Sequence, residues 1–117
     1  MFAEDAEVFN VNLPSVHGRE GIKNFCENLY SRTSARNFEI LEIVEGVDIV
    51  MVEWRVQMTF RAGAKIGPWE LAEPFDVALR GINKFEFVSD SRLIHCLRIY
   101  HETSTVAQLA QSHAKKS

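Results

Sequence analysis

The stretch Arg80-Gly81-Ile82-Asn83-Lys84-Phe85-Glu86-Phe87-Val88 alternates like a strand and sets an amide, Asn83, on the same side as Phe85 and Phe87. An amide on an aromatic face is either a strand-edge group satisfied by water or the polar tip of a pocket. It offers N–H donors and a carbonyl acceptor at every pH, so it can orient a ligand oxygen but cannot take up and return a proton. The other groups able to do chemistry are four histidines, His17, His95, His101 and His113, and two cysteines, Cys26 and Cys96. No histidine pair has metal-ligand spacing with a third donor nearby, which predicts no metal site. There is no GxSxG, no Cys–His spacing of note and no glycine-rich phosphate loop, and no cofactor is expected. The cysteines form no CxxC, and Cys26 falls on the apolar stripe of a helix, where it reads as a buried reduced thiol.

These groups must be carried by a small set of elements. Residues 2–6 read as a helix end or turn leading into a short strand, Glu7 to Val11, followed by a loop. Ile22, Phe25, Cys26, Leu29 and Tyr30 are spaced i, i+3, i+4, i+7, i+8, which predicts a helix from about Gly18 to Arg32. Glu20 and Arg32 suit the two ends of its dipole. The period then changes to two. Asn37–Glu45 reads as a strand, and Ile49–Arg61 as the strongest strand of the chain, with Val50, Val52, Trp54, Val56, Met58 and Phe60 on its dry face. Trp69–Leu79 and Gly81–Val88 read as one long strand, bent near Pro74 or Gly81. A turn at Ser89-Asp90-Ser91 leads to a last strand, Arg92–His101, and Thr103 or Ser104 caps a short terminal helix. Helix, antiparallel meander, helical tail: this is α+β, with helix packed on one face of a curved sheet.

At 117 residues the chain is expected to form one domain, residues 1–117, with one modest core. A formal net charge of -3 gives no reason to invoke nucleic acid or an anionic membrane surface. No apolar run reaches membrane length and the start, Met1-Phe2-Ala3-Glu4-Asp5, is acidic rather than signal-like, so a cytoplasmic location is the default expectation.

The order of "FAEDAEVFN", "HGREGIKNF" and "RLIHCLRIYHETSTVAQL" resembles the nuclear transport factor 2-like superfamily, to which the SnoaL-like polyketide cyclases and ketosteroid isomerases belong. The resemblance runs from Phe2 to Leu109. It implies a cone, cystatin-like in outline, in which a bent antiparallel sheet wraps around helices and leaves a pocket. Relative to the family the chain looks N-terminally shortened, lacking the helices that roof the pocket, so the cone is expected to be open or covered by another chain. Carried over residue by residue, the isomerase base falls on Asn10, five residues beyond Asp5, and the oxyanion-binding aspartate falls on Asn83. The pocket face of the middle strand falls on Trp54, Val56 and Met58, with Phe85 beside Asn83, and the last strand contributes Cys96, Arg98 and Tyr100. His95 and His101 are then expected on the outer face. So is an apolar row of Leu93, Leu97 and Ile99, for which dimerisation through the outer sheet face is the natural remedy.

With Asn10 in place of the base, isomerase chemistry loses its proton acceptor, while Asn83 keeps a neutral donor. Arg98 is expected as the one permanent charge in the pocket, either meeting an anionic ligand or, more commonly, a carboxylate of the chain or the rim. Candidates for a catalytic role are Asp5, more often a turn-fixing carboxylate, His17, more often exposed or capping, and Tyr100. Two functions therefore stand side by side. One is a cone pocket binding a small hydrophobic molecule, anionic or not, with cofactor-independent isomerase or cyclase chemistry open. The other is a non-catalytic dimerisation or protein-docking module.

Overall fold

Strand-forming residues dominate the chain after its one long helix, and their pairings decide where every polar group ends up. The computed structural model describes residues 1–10, 14–102 and 104–115. In chain order the elements are β1 (Phe2–Asn10), β2 (Val16–His17), α1 (Gly18–Arg32), β3 (Thr33–Gly46), β4 (Ile49–Phe60), β5 (Lys65–Ile66), β6 (Trp69–Glu70), β7 (Phe75–Phe87), β8 (Ile94–His101) and α2 (Ser104–Ser112). A six-stranded curled sheet has the order β2-β1-β8-β7-β4-β3, and β5 and β6 form a separate small hairpin. β1 runs parallel to β8, while β3–β4, β4–β7 and β7–β8 are antiparallel. The architecture is α+β, as the alternation of periods predicted.

Local chemistry accounts for the joints. Asp48 and Asp90 adopt left-handed φ values of 56° and 57° at the turns into β4 and β8, a conformation that Asp tolerates better than most residues. α1 opens on Gly18 at φ 73° and ends where Thr33 returns to extended backbone, its hydroxyl donating to the Leu29 carbonyl at 3.0 Å.

Register fixes the faces. Phe60/Phe75, Met58/Val77, Val56/Leu79, Trp54/Gly81, Val52/Asn83 and Val50/Phe85 are directly opposite across β4 and β7. On β8 the matching partners are His101, Ile99 and Leu97, and on β1 they are Asn10 and Val8. One core lies at one end of this face: Val56, Met58, Phe60, Phe75, Val77 and Leu79 pack with Leu71 and Ala110, covered by α2 and the hairpin. A second lies at the other end, where Val8, Ala6, Ala3 and Leu97 pack with Ile22 of α1. Two residue rows remain between them, and they carry Trp54, Asn83, His101 and Asn10.

Several expectations are corrected. Phe2–Ala6 is strand, not a helix end, because it continues β1 alongside β8. Val11 and Thr103 fall outside the described residues. Trp69 and Glu70 turn back to pair with Ile66 and Lys65 instead of joining β7, which runs unbroken through Gly81. The α1 stripe is only partly used: Ile22 is buried, but Cys26 and Tyr30 are exposed, so the buried free thiol is Cys96. α1 meets little beyond β1, β2 and the start of β3, and Tyr30 instead receives the Arg36 guanidinium at 4.2 Å over its ring. No helix among the described residues is long and apolar enough to cross a membrane.

Candidate functional site

The two rows that no described element covers form a shelf on the helix-bearing face. Gly81 sits between Trp54 and His101, and the absence of its side chain lets the Trp54 indole lie across β7: a Cβ built there would come within 2.3 Å of Trp54 Cζ2. So placed, Trp54 Nε1 donates to Asn83 Oδ1 at 2.8 Å. Indole N–H is a donor only, so this bond fixes the amide with its oxygen toward the ring. Asn83 Nδ2 is left as a donor that no described residue accepts. Beyond Gly81 the His101 ring tilts against the indole at a centroid distance of 6.3 Å. His101 Nε2 lies 3.0 Å from Asn10 Oδ1, and its Nδ1 lies 3.2 Å from the Glu102 carbonyl. Both nitrogens thus face oxygen acceptors. The doubly protonated ring satisfies both, while the neutral ring requires the Asn10 amide to turn its N–H toward Nε2.

The shelf is bounded on the β3 side by Phe38, edge-to-face on Trp54 at 6.2 Å, and by Ile40. Phe38 and Ile40 are 56% and 62% exposed, so the surface is open and apolar, not an enclosed cavity. An open groove of about 490 Å³ lies elsewhere, lined by Ala35, Asn37, Gln57, Thr59, Asp76 and Ala78, where Thr59 Oγ1 donates to Asp76 at 2.6 Å.

Among the residues proposed from sequence, Asn10, Trp54 and Asn83 share this face. Val56 and Met58 share it too but are buried in the core under α2, and Phe85 packs into the core under α1. Cys96, Arg98 and Tyr100 do not join them. Glu86, Lys84 and Ile82 are their partners on β7, on the outer face. Arg98 Nε donates to Glu86 Oε2 at 3.0 Å and the guanidinium caps the Phe9 ring at 4.7 Å, so its counter-charge is a carboxylate of the chain. Burial opposes ionisation of Glu86, but hydrogen bonds from Arg98 and Cys96 and the nearby Lys84 charge outweigh it and hold the carboxyl below its usual range. Burial, then the bond to Glu86, pushes the Cys96 thiol up and keeps it protonated. Conversely, Leu97 and Ile99 are in the interior-facing set, and His101, expected outside, is the titratable group of the shelf. Asp5 and Tyr100 are exposed and away from Asn83, and His17 lies at the β2 edge. Among the described residues no group of three or more His, Cys, Asp or Glu side chains is placed to hold a metal ion.

The SnoaL-like domain family matches residues 1–95, and the chain belongs to it. Solved structures share the fold at low identity. A SnoaL-like protein of Jannaschia sp. CCS1 superposes with a TM-score of 0.78 at 14% identity, over 95% of this chain and 74% of its own. A ketosteroid isomerase-like protein of Catenulispora acidiphila DSM 44928, in complex with trimethylamine, gives 0.72 at 16%, over 94% and 76%. TerC, co-crystallised with polyporic acid, gives 0.69 at 14%, over 94% and 80%. No curated protein sequence matches the chain. The nuclear transport factor 2-like resemblance therefore stands as the fold.

Two predictions follow from this geometry. Gly81→Ala drives a methyl into the Trp54 ring, so it should cost about 1–3 kcal/mol in urea unfolding and shift tryptophan emission as the indole leaves Asn83. Because Glu86 has a folded-state value below its unfolded one, its contribution is present above the ordinary carboxylate range and disappears as pH falls through the folded value. Glu86→Gln should destabilise by about 1 kcal/mol or less at neutral pH, and the gap to wild type should close on acidification; a gap that widens in acid would contradict the assignment.

Proposed function

We propose that the shelf binds a flat apolar molecule bearing a carbonyl or phenolic oxygen, with the body of the ligand on Trp54 and Phe38 and its oxygen on Asn83 Nδ2. The observation carrying this reading is the Trp54–Asn83 hydrogen bond, which orients an unspent donor beside an aromatic platform. Arg98 is paired with Glu86 on the outer face, and Arg36, farther along β3 on the shelf side, is turned to the Tyr30 ring and the Thr33 carbonyl, so neither is aimed at an anionic headgroup on the shelf. The fold neighbour co-crystallised with polyporic acid supports a small-molecule role for this architecture. His101 is the group able to move a proton: with a ligand carbonyl held by Asn83, exchange of Asn10 for the ligand at Nε2 lets imidazole remove an α-proton and return it, the enolate oxygen resting on the amide.

Tryptophan quenching by 2-naphthol tests binding, with Trp69 as the unchanged second fluorophore. Asn83→Leu should weaken it about two- to tenfold, and Trp54→Leu should remove the response. Proton chemistry is read by deuterium uptake at the α-carbon of 1-tetralone in D2O, which should exceed buffer and be lost in His101→Phe. Binding without exchange leaves a binding protein; absence of both sinks the reading.

A second reading concerns partners. On the outer face Tyr100, Ile82, Met51 and Val44 lie in a diagonal stripe across four strands, and they are 49%, 37%, 37% and 54% exposed. We propose that two copies pair through this stripe, in place of the row of Leu93, Leu97 and Ile99 expected from sequence. Sedimentation velocity should show a dimer that Ile82→Glu dissociates; a monomer at all concentrations would exclude it.

A further inference from the structure

On the outer face, at the sheet edge made by β2, three side chains meet that the shelf does not use. β2 pairs antiparallel with β1 so that His17 is directly opposite Glu7, and alternation sends both side chains to one face. Val16, between Ser15 and His17, points the other way and packs against the core that holds Ile22. His17 Nδ1 lies 3.3 Å from Glu7 Oε2, and His17 Nε2 lies 3.1 Å from Ser15 Oγ. A carboxylate, an imidazole and a hydroxyl are thus in series through opposite ring nitrogens. With the ring proton on Nδ1, facing the Glu7 carboxylate, Nε2 is the unprotonated nitrogen and Ser15 Oγ–H can donate to it. That is the arrangement by which a serine hydroxyl becomes a nucleophile.

α1 begins at the next residue. Its N-cap, His17, makes no side-chain capping bond, so the imidazole is not committed to the helix end. Phe9 alternates onto the same face as Glu7 and offers an apolar surface nearby. The histidine side chain is 67% exposed and the glutamate 40%, so the group is open to solutes and has no enclosing walls. Such a site selects by reactivity rather than by shape.

We propose that Ser15, His17 and Glu7 form a nucleophilic site for small activated aryl esters, separate from the shelf on the opposite face. Ser15 Oγ attacks the acyl carbon while its proton passes to His17 Nε2. The bond to the aryl oxygen breaks, and that proton goes to the leaving phenol. Water then attacks the acyl-serine, giving a proton to His17 as the acyl carbon–Oγ bond breaks, and Ser15 recovers a proton from the imidazolium. The products are a carboxylic acid and a phenol, and water is the only co-reactant. Ser15 and His17 are the catalytic residues; Glu7 is a positioning residue.

The test is p-nitrophenyl acetate hydrolysis together with labelling by a fluorophosphonate, mapped by mass spectrometry. The expected results are an adduct on Ser15 and hydrolysis that falls about a hundredfold in Ser15→Ala and in His17→Ala, with the circular dichroism spectrum unchanged. Glu7→Gln should lower kcat and leave KM in place, which a merely structural role would not produce. No adduct on Ser15 overturns the proposal. So does hydrolysis that survives Ser15→Ala but not His17→Ala, since an imidazole alone would then be the nucleophile.

Discussion

The Trp54 indole lying over Gly81 is the constraint on which the site depends. A strand residue normally keeps a large neighbour from crossing it, because its own Cβ occupies the space above the pleat. With only hydrogen at Gly81, the ring from β4 spans β7, reaches Asn83 with its N–H and stops against His101 from β8. Three strands contribute one flat platform. The same contact gives the amide a direction, since Nε1 can only donate, and so it makes Asn83 a ligand-facing donor rather than a freely turning side chain. Remove the glycine and the indole must stand up from the sheet, leaving Asn83 and His101 without their common wall.

Charge follows from the same partition into faces. A guanidinium on the helix-bearing side would have to lose much of its hydration among Leu97, Ile99 and Val8, at a cost that only a paired carboxylate offsets. Across β7 and β8 the acidic residue is Glu86, and its side chain is on the other face. Arg98 therefore lies outside with Glu86, stacked on Phe9. Arg55 and Glu39 pair across β4 and β3 on that same face. What the shelf presents is amide, indole and imidazole, while Arg36 on the same side of β3 is turned away to Tyr30 and Thr33.

Much of this was legible before any coordinates. The alternation of β4 assigned Val50 through Phe60 to one dry face, and Asn83 fell with the aromatic set of β7, as the pairings Val52/Asn83 and Val50/Phe85 require. The long helix was equally plain. The last strand was read with its faces exchanged. Both of its sides contain apolar residues, so period two alone does not say which faces in, and the ladder slips by a residue between Glu86 and Phe87, which resets the parity across the turn. A signal was present all the same: Leu97 and Ile99 are more apolar than Arg98 and Tyr100, and an exposed row of such residues was already an anomaly. Burial resolves that anomaly without a partner chain, and it brings His101 inside by the same step.

The elements that escaped the sequence reading share one physical trait, dependence on distant chain. β1 owes its full length to a parallel neighbour more than eighty residues away, and residues such as Glu4 and Asp5 have no intrinsic preference for a strand. β2, β5 and β6 are two-residue strands, too short to show any period. The partners of His17 were hidden for the same reason: Ser15 is visible two residues away, but Glu7 comes opposite only when β2 pairs with β1. A chemical grouping split across a strand pair leaves no spacing to recognise, whereas an amide set among phenylalanines breaks a local pattern and can be seen from the residues alone. That contrast explains why Asn83 was found at once and the glutamate–histidine–serine series only in three dimensions.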